Sequence, residues 1–177
     1  RQRQMCIRDS NKIFLGEFIA SCFLVMIIVG SGIMAENLTN DNAVRLLANT
    51  IATGAGLFVL ITAFANISGA HLNPFVSLSM YLTKRIKGKE LLTFIPAQIL
   101  GCLLGVMLAN VFFEHSIIEL STKNRDGFHI FLSEIVATFG LIFIIFATLK
   151  DGKTTVAVCV ATSVSYTHLT LPTTYEV

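Results

Sequence analysis

Long apolar runs joined by short polar connections set the pattern of this chain. Residues 13–34 form the first run; as a helix its 22 residues reach ~33 Å, enough for a ~30 Å hydrocarbon core. Runs at 44–66, 91–113 and 129–149 are of similar length, and a fifth opens near Thr154. One apolar segment is too short to span. Pro74–Leu82 reaches ~14 Å as a helix, half a membrane, and directly follows the polar break ISGAHLNP at 67–74. The pattern predicts an all-α membrane protein: full-length transmembrane helices plus one re-entrant half-helix.

Backbone that leaves a helix at membrane depth needs its N–H and C=O groups satisfied by protein or by a water-filled cavity. The break therefore predicts a lined pathway rather than a plain bundle. Asn73 suits the N-cap of the half-helix, and Pro74 suits its first turn, where a missing N–H loses no helical partner. Gly69, Ala70, His71 and Leu72 are expected to form an extended strand whose carbonyl oxygens line the path and accept from water or hydroxylated solutes. Asn73 would present its side-chain NH₂ at the centre, where the half-helix directs roughly +0.5 of a charge. A neutral solute passes such a point, whereas a cation, or a proton on a water wire, meets a barrier. His71 reads either as a pH gate or as a neutral histidine hydrogen-bonded within the loop.

The first and fourth runs repeat each other. GEFIASCFLVMII from Gly16 and SEIVATFGLIFII from Ser133 pair Glu17 with Glu134, Ala20 with Ala137 and Leu24 with Leu141, an offset of 117 residues. Three crossings separate them, so they run in opposite directions. An inverted repeat of three helices plus a half-helix follows, an architecture of channels and transporters. The counterpart of Asn73 would fall at about position 190, past Val177. The expectation is a piece of a six-span protein, truncated before the second half-helix and the sixth span. A carboxylate at membrane depth costs at least ~2.5 kcal/mol on insertion scales, so each glutamate needs a partner. Glu17 and Glu134 read as a proton relay or as braces accepting from loop N–H groups; their recurrence in both halves favours the brace.

Here a family resemblance enters. SGAHLNP resembles the first re-entrant loop of the aquaporins, the major intrinsic protein family, whose signature is Asn-Pro-Ala. This chain carries Asn73-Pro74-Phe75 and departs at the third position. Gln98, followed by Gly101 and Gly105, is similar to the family's AQ..G...G pattern. The resemblance covers about 150 of the 177 residues. It implies that Glu17, Glu134 and Gln98 brace the loops of a channel for water and small uncharged solutes such as glycerol. It further implies a homotetramer in the lipid bilayer when full length, without cofactor or metal. In the family one residue of the second span stands at the narrowest point. Aligning GAGLFVLITAF places Ala55 there, and counting back from Asn73 without a gap gives Thr53. Either is small where water-selective members carry a bulky aromatic, which implies a wider pore. The run LLANTIATGAG at 46–56 resembles a bacterial aquaglyceroporin-like branch associated with arsenic resistance, adding metalloid hydroxides to the expected solutes.

Composition agrees with a membrane protein. At 54% hydrophobic and 14% charged, with a mean hydropathy of +0.72, the chain is too apolar for an ordinary soluble domain. A net charge of +2 is too small to suggest a nucleic-acid partner, but its placement orients the chain. Lys84, Arg85, Lys87 and Lys89 crowd one connection, and Lys150 and Lys153 flank another. The positive-inside rule puts both connections and the N-terminus in the cytoplasm, with a bacterial inner membrane as the expected location. Cys22, Cys102 and Cys159 lie in apolar runs without motif spacing and read as small buried hydrophobes. Asn37-Leu38-Thr39 matches a glycosylation sequon, which is read as chance. Residues 1–10 and 163–177 resemble translated adaptor sequence and are set apart as non-native-looking extensions of a channel domain at 11–162. No nucleophile–base set, His/Cys cluster or phosphate loop supports catalysis. The competing reading is a secondary transporter, which also uses inverted repeats and broken helices, although the spans offer only two glutamates as midplane charges.

Overall fold

The structure is a computed structural model that describes residues 2–118 and 127–171, with side chains from residue 10 onward. Of the terminal stretches set apart above, residue 1, the side chains of 2–9 and residues 172–177 lie outside the described residues. Among the described residues six helices follow one another: α1 (Gln2–Leu38), α2 (Asn42–Phe64), α3 (Pro74–Leu82), α4 (Gly88–Phe112), α5 (Phe128–Thr148) and α6 (Lys153–Thr170). Four are long and apolar enough to cross a membrane: α1 from Ser10, α2, α4 and α5. The short α3 has the bounds expected of the half-helix.

Local chemistry fixes the helix starts. Asp41 caps α2, its Oδ1 accepting from Ala43 N at 2.8 Å and Val44 N at 3.2 Å, an arrangement that contributes about 1 kcal/mol. Arg45 Nε reaches back to Thr39 O at 2.6 Å and ties down the α1–α2 connection. Glu90, in the first turn of α4, accepts from Lys87 N at 2.6 Å. Asn73 caps α3 through Phe75 N at 2.8 Å, with Pro74 in the first turn as the sequence requires.

α1 packs against both α2 and α4. Its approach to α4 is close: a Cβ on Gly101 would stand 2.3 Å from Phe18 O, and one on Gly105 2.4 Å from Cys22 O. In a bilayer, where lipid tails are as apolar as leucine, such small residues let helices gain van der Waals contact. α2 packs also on α6, and α6 on α5, while α3 sits against α4 and α5. The α2–α6 pair is antiparallel: Gly54 meets Ser165 at one end, and Ala65 O meets Lys153 at the other. Large apolar side chains such as Leu92, Phe139 and Phe143 face outward, whereas Glu17, Ser21, Ser77 and Gln98 are fully buried. A polar cluster is thus buried beside an apolar core that includes Leu57, Ile61, Val76, Met80 and Val160.

Candidate functional site

The site is the connection between α2 and α3. Gly69, Ala70 and Leu72 have φ values of 101°, 51° and 53°. The expected extended strand is therefore replaced by a chain of left-handed residues, which for Ala and Leu costs about 1–2 kcal/mol each. Glu17 supplies the reason. Left-handed residues interleaved with ordinary ones turn successive N–H groups toward one anion. His71 N donates to Glu17 Oε1 at 3.1 Å and Leu72 N to Oε2 at 2.9 Å. Ser68 Oγ donates to Oε1 at 2.7 Å, and Gln98 Nε2 of α4 to Oε2 at 2.8 Å. Four donors thus converge on one side chain with no exposure at all. A carboxylate meets that demand because both of its oxygens accept and neither donates. Hydrogen bonds to a charged group contribute ~1.5–3 kcal/mol each, which outweighs the backbone strain. Gly16 makes the approach feasible, since a Cβ there would stand 2.8 Å from Ser68 Cβ.

A second tier ties the loop to the half-helix. Ser77, one turn into α3, accepts from Gln98 Nε2 at 3.0 Å, and its hydroxyl lies 3.0 Å from His71 Nδ1. The His71 ring stacks on Phe94 of α4 with centroids 4.2 Å apart. Ser68, Ser77 and Phe94 were not among the residues singled out in the sequence. The available signals were positional: Ser68 opens the SGAH turn, and Ser77 lies one helical turn beyond Asn73.

Beside the loop is a cavity of about 700 Å³, lined on one wall by Gly69, Ala70, His71, Leu72 and Asn73. α2 and its C-cap contribute Thr53, Leu57, Ile61 and Ala65, a four-residue spacing that forms one stripe ~18 Å long. Leu141 and Ile145 of α5 and Val156 and Val160 of α6 make another wall apolar. Arg85, Lys150 and Lys153 also line it, Lys153 at the end of the stripe by Ala65. The Arg85 guanidinium stands over the Phe146 ring at 5.6 Å, and Lys153 Nζ donates to Ala65 O at 3.3 Å and to Asn66 Oδ1.

A further expectation needs correction at the α2 wall. Ala55 does not line the cavity; it is exposed on α2, because two helical residues turn the side chain by roughly 200°, and Thr53 holds the wall instead. Glu134 is half-buried on α5 and within electrostatic reach of His168 on α6. No second re-entrant loop occurs among the described residues, in keeping with its expected place past Val177, and the bracing role of Glu134 stays an expectation. Phe75 is 61% exposed and faces away from the cavity wall that its neighbour Asn73 lines.

Comparison with known proteins follows the same lines. Residues 5–173 match the model of the major intrinsic protein family. The chain is 42% identical over 142 residues to the aquaglyceroporin AqpS of Rhizobium meliloti, a match covering 80% of this chain and 61% of that protein. It is 37% identical over 152 residues to aquaporin TIP1-2 of Musa acuminata, covering 82% and 60%. The chain thus spans about three-fifths of the length of these curated relatives. The X-ray structure of the aquaglyceroporin from Plasmodium falciparum shares the fold, with a TM-score of 0.78 at 20% identity over 91% of this chain and 72% of that one. With the fold shared and the family model matched along nearly the whole chain, the protein belongs to the major intrinsic protein family.

Proposed function

We propose that the full-length protein is a membrane channel through which water and small uncharged solutes such as glycerol diffuse passively. The cavity carries this reading. Its loop wall has turned the N–H groups of His71 and Leu72 toward Glu17, which leaves the carbonyl side of the loop for the path. Asn73 spends its Oδ1 on Phe75 N and keeps its NH₂ as the group to offer. The facing walls of Leu141, Ile145, Val156 and Val160 offer nothing polar. A polyol, with hydroxyls along one edge and carbons along the other, matches both walls. Metalloid hydroxides are neutral and hydroxylated, and fit by the same chemistry. Thr53 at the α2 wall is small enough for solutes larger than water.

Passive transport is favoured over ion coupling because Glu17 has both oxygens occupied by fixed donors. That is the environment of a brace, not of a relay that must exchange protons. A homotetramer in a bacterial inner membrane, with the N-terminus and the lysine-rich connections cytoplasmic, completes the reading. Flux through proteoliposomes of the full-length protein tests it. Uptake of glycerol should rise linearly with concentration and ignore imposed proton or sodium gradients. Saturating uptake driven by either gradient would make the protein a transporter instead.

A further inference from the structure

We infer that Asn49 is a positioning residue that sets the hydrogen-bonding sense of the pore wall at Thr53; the inference rests on the channel reading above. Both residues lie on α2, one turn apart, with 2% and 1% of their surface exposed. Asn49 Nδ2 donates to Ile28 O of α1 at 2.9 Å. A backbone carbonyl only accepts, so the amide has one workable orientation, nitrogen toward α1 and Oδ1 away from it. Gly32 leaves the room for this, since a Cβ there would stand 3.2 Å from Asn49 Nδ2.

Oδ1 in its turn only accepts. Thr53 Oγ1 lies 3.4 Å from it, longer than an ordinary O–H···O bond, and is the donor of a weak contact to that oxygen. A hydroxyl has a single proton and two lone pairs. With the proton directed at Asn49, Thr53 offers lone pairs to the cavity it lines. The wall at this point is an acceptor. It favours solutes that carry O–H or N–H groups over solutes that only accept. Asn49 does not line the cavity and acts entirely through Thr53.

The test compares acetamide, which has N–H donors, with dimethyl sulfoxide, which has none and is of similar size. Both are measured in proteoliposomes of the full-length channel, and their ratio cancels differences in the amount of folded protein. Asn49→Ala frees the hydroxyl to rotate and should lower the acetamide to dimethyl sulfoxide ratio about threefold, the scale of one net hydrogen bond. Thr53→Val should lower it at least as far, Thr53→Ser should keep it, and the double variant Asn49→Ala, Thr53→Val should go no further than Thr53→Val alone. A purely structural Asn49 would reduce both fluxes together and leave the ratio intact, which overturns the inference, as does an additive double variant. Should Asn49→Ala fail to fold, equal ratios in Thr53→Val and Thr53→Ser overturn it on their own. A wild-type channel that passes no neutral solute defeats the proposed function itself; a conducting wild type with an unmoved ratio defeats only the role of Asn49.

Discussion

Glu17 and Glu134 hold matching places in two related apolar runs, yet they stand in different company. Glu17 is wholly buried and accepts from Ser68, His71, Leu72 and Gln98, partners 51 to 81 residues away in the chain. Glu134 is half-buried, near His168, with no re-entrant loop among the described residues to approach it. Among the described residues, the same residue in the same local pattern thus meets a loop in α1–α4 and none in α5–α6. What a membrane carboxylate does is decided by the donors that other elements bring to it. The seam between α1 and α4 follows the same contrast, with glycines at backbone contact, while Gly140 of α5 has only the Tyr166 hydroxyl nearby, 3.9 Å from where its Cβ would be.

The largest effect should come from Glu17→Gln. The new NH₂ must face donors that previously met an oxygen, a buried mismatch costing at least ~3 kcal/mol. Folded yield and solute flux in the full-length protein should fall together, with ion exclusion unaltered. Glu134→Gln in this chain should cost about 1 kcal/mol of stability, the ordinary value for a point substitution, against the larger loss in Glu17→Gln. Equal losses at the two positions would erase the contrast, and normal yield with proton-coupled flux in Glu17→Gln would restore the relay reading.

A second pair of variants probes the packing. Gly101→Ala pushes a methyl to within contact of Phe18 O and should destabilise by about 1–3 kcal/mol, whereas Gly140→Ala should stay within about 0.5 kcal/mol. Thermal unfolding in detergent, followed by circular dichroism, separates the two. Asn73→Ala comes next. Loss of the α3 cap costs about 1 kcal/mol, and the path loses its side-chain donor, so solute flux should drop with little change in yield. The smallest change is expected from Phe75→Ala, which alters an outward-facing ring and should leave unfolding within about 0.5 kcal/mol of wild type. Collapse of folded yield in that variant would reveal a packing contact that the exposure of Phe75 does not suggest.

Much of the fold was legible because its signals are local. Run length gave the spanning helices, and Asn73-Pro74 after a polar break gave the bounds of α3. Glu17 was singled out as a charge that an apolar segment must justify, and Gln98 through its similarity to a family pattern. The rest depends on contacts across long stretches of chain. The positive φ of Ala70 and Leu72 follows from a carboxylate on α1, and no property of SGAHL alone demands it. Thr53 and Ala55 could not be separated because both are small, and only the packing of α2 against its neighbours decides which one faces the cavity. Ser77 reads as an ordinary helix residue until Gln98 and His71 are seen to meet at its hydroxyl.

The most direct measurement is amide hydrogen exchange across residues 68–72, made on this chain in lipid nanodiscs. If Glu17 holds the loop, the amides of His71 and Leu72 exchange slowly in the wild type, become fast in Glu17→Gln, and stay slow in Glu134→Gln. Protection that survives Glu17→Gln, or that is lost equally in Glu134→Gln, would contradict the assignment of Glu17 as the brace of the re-entrant loop.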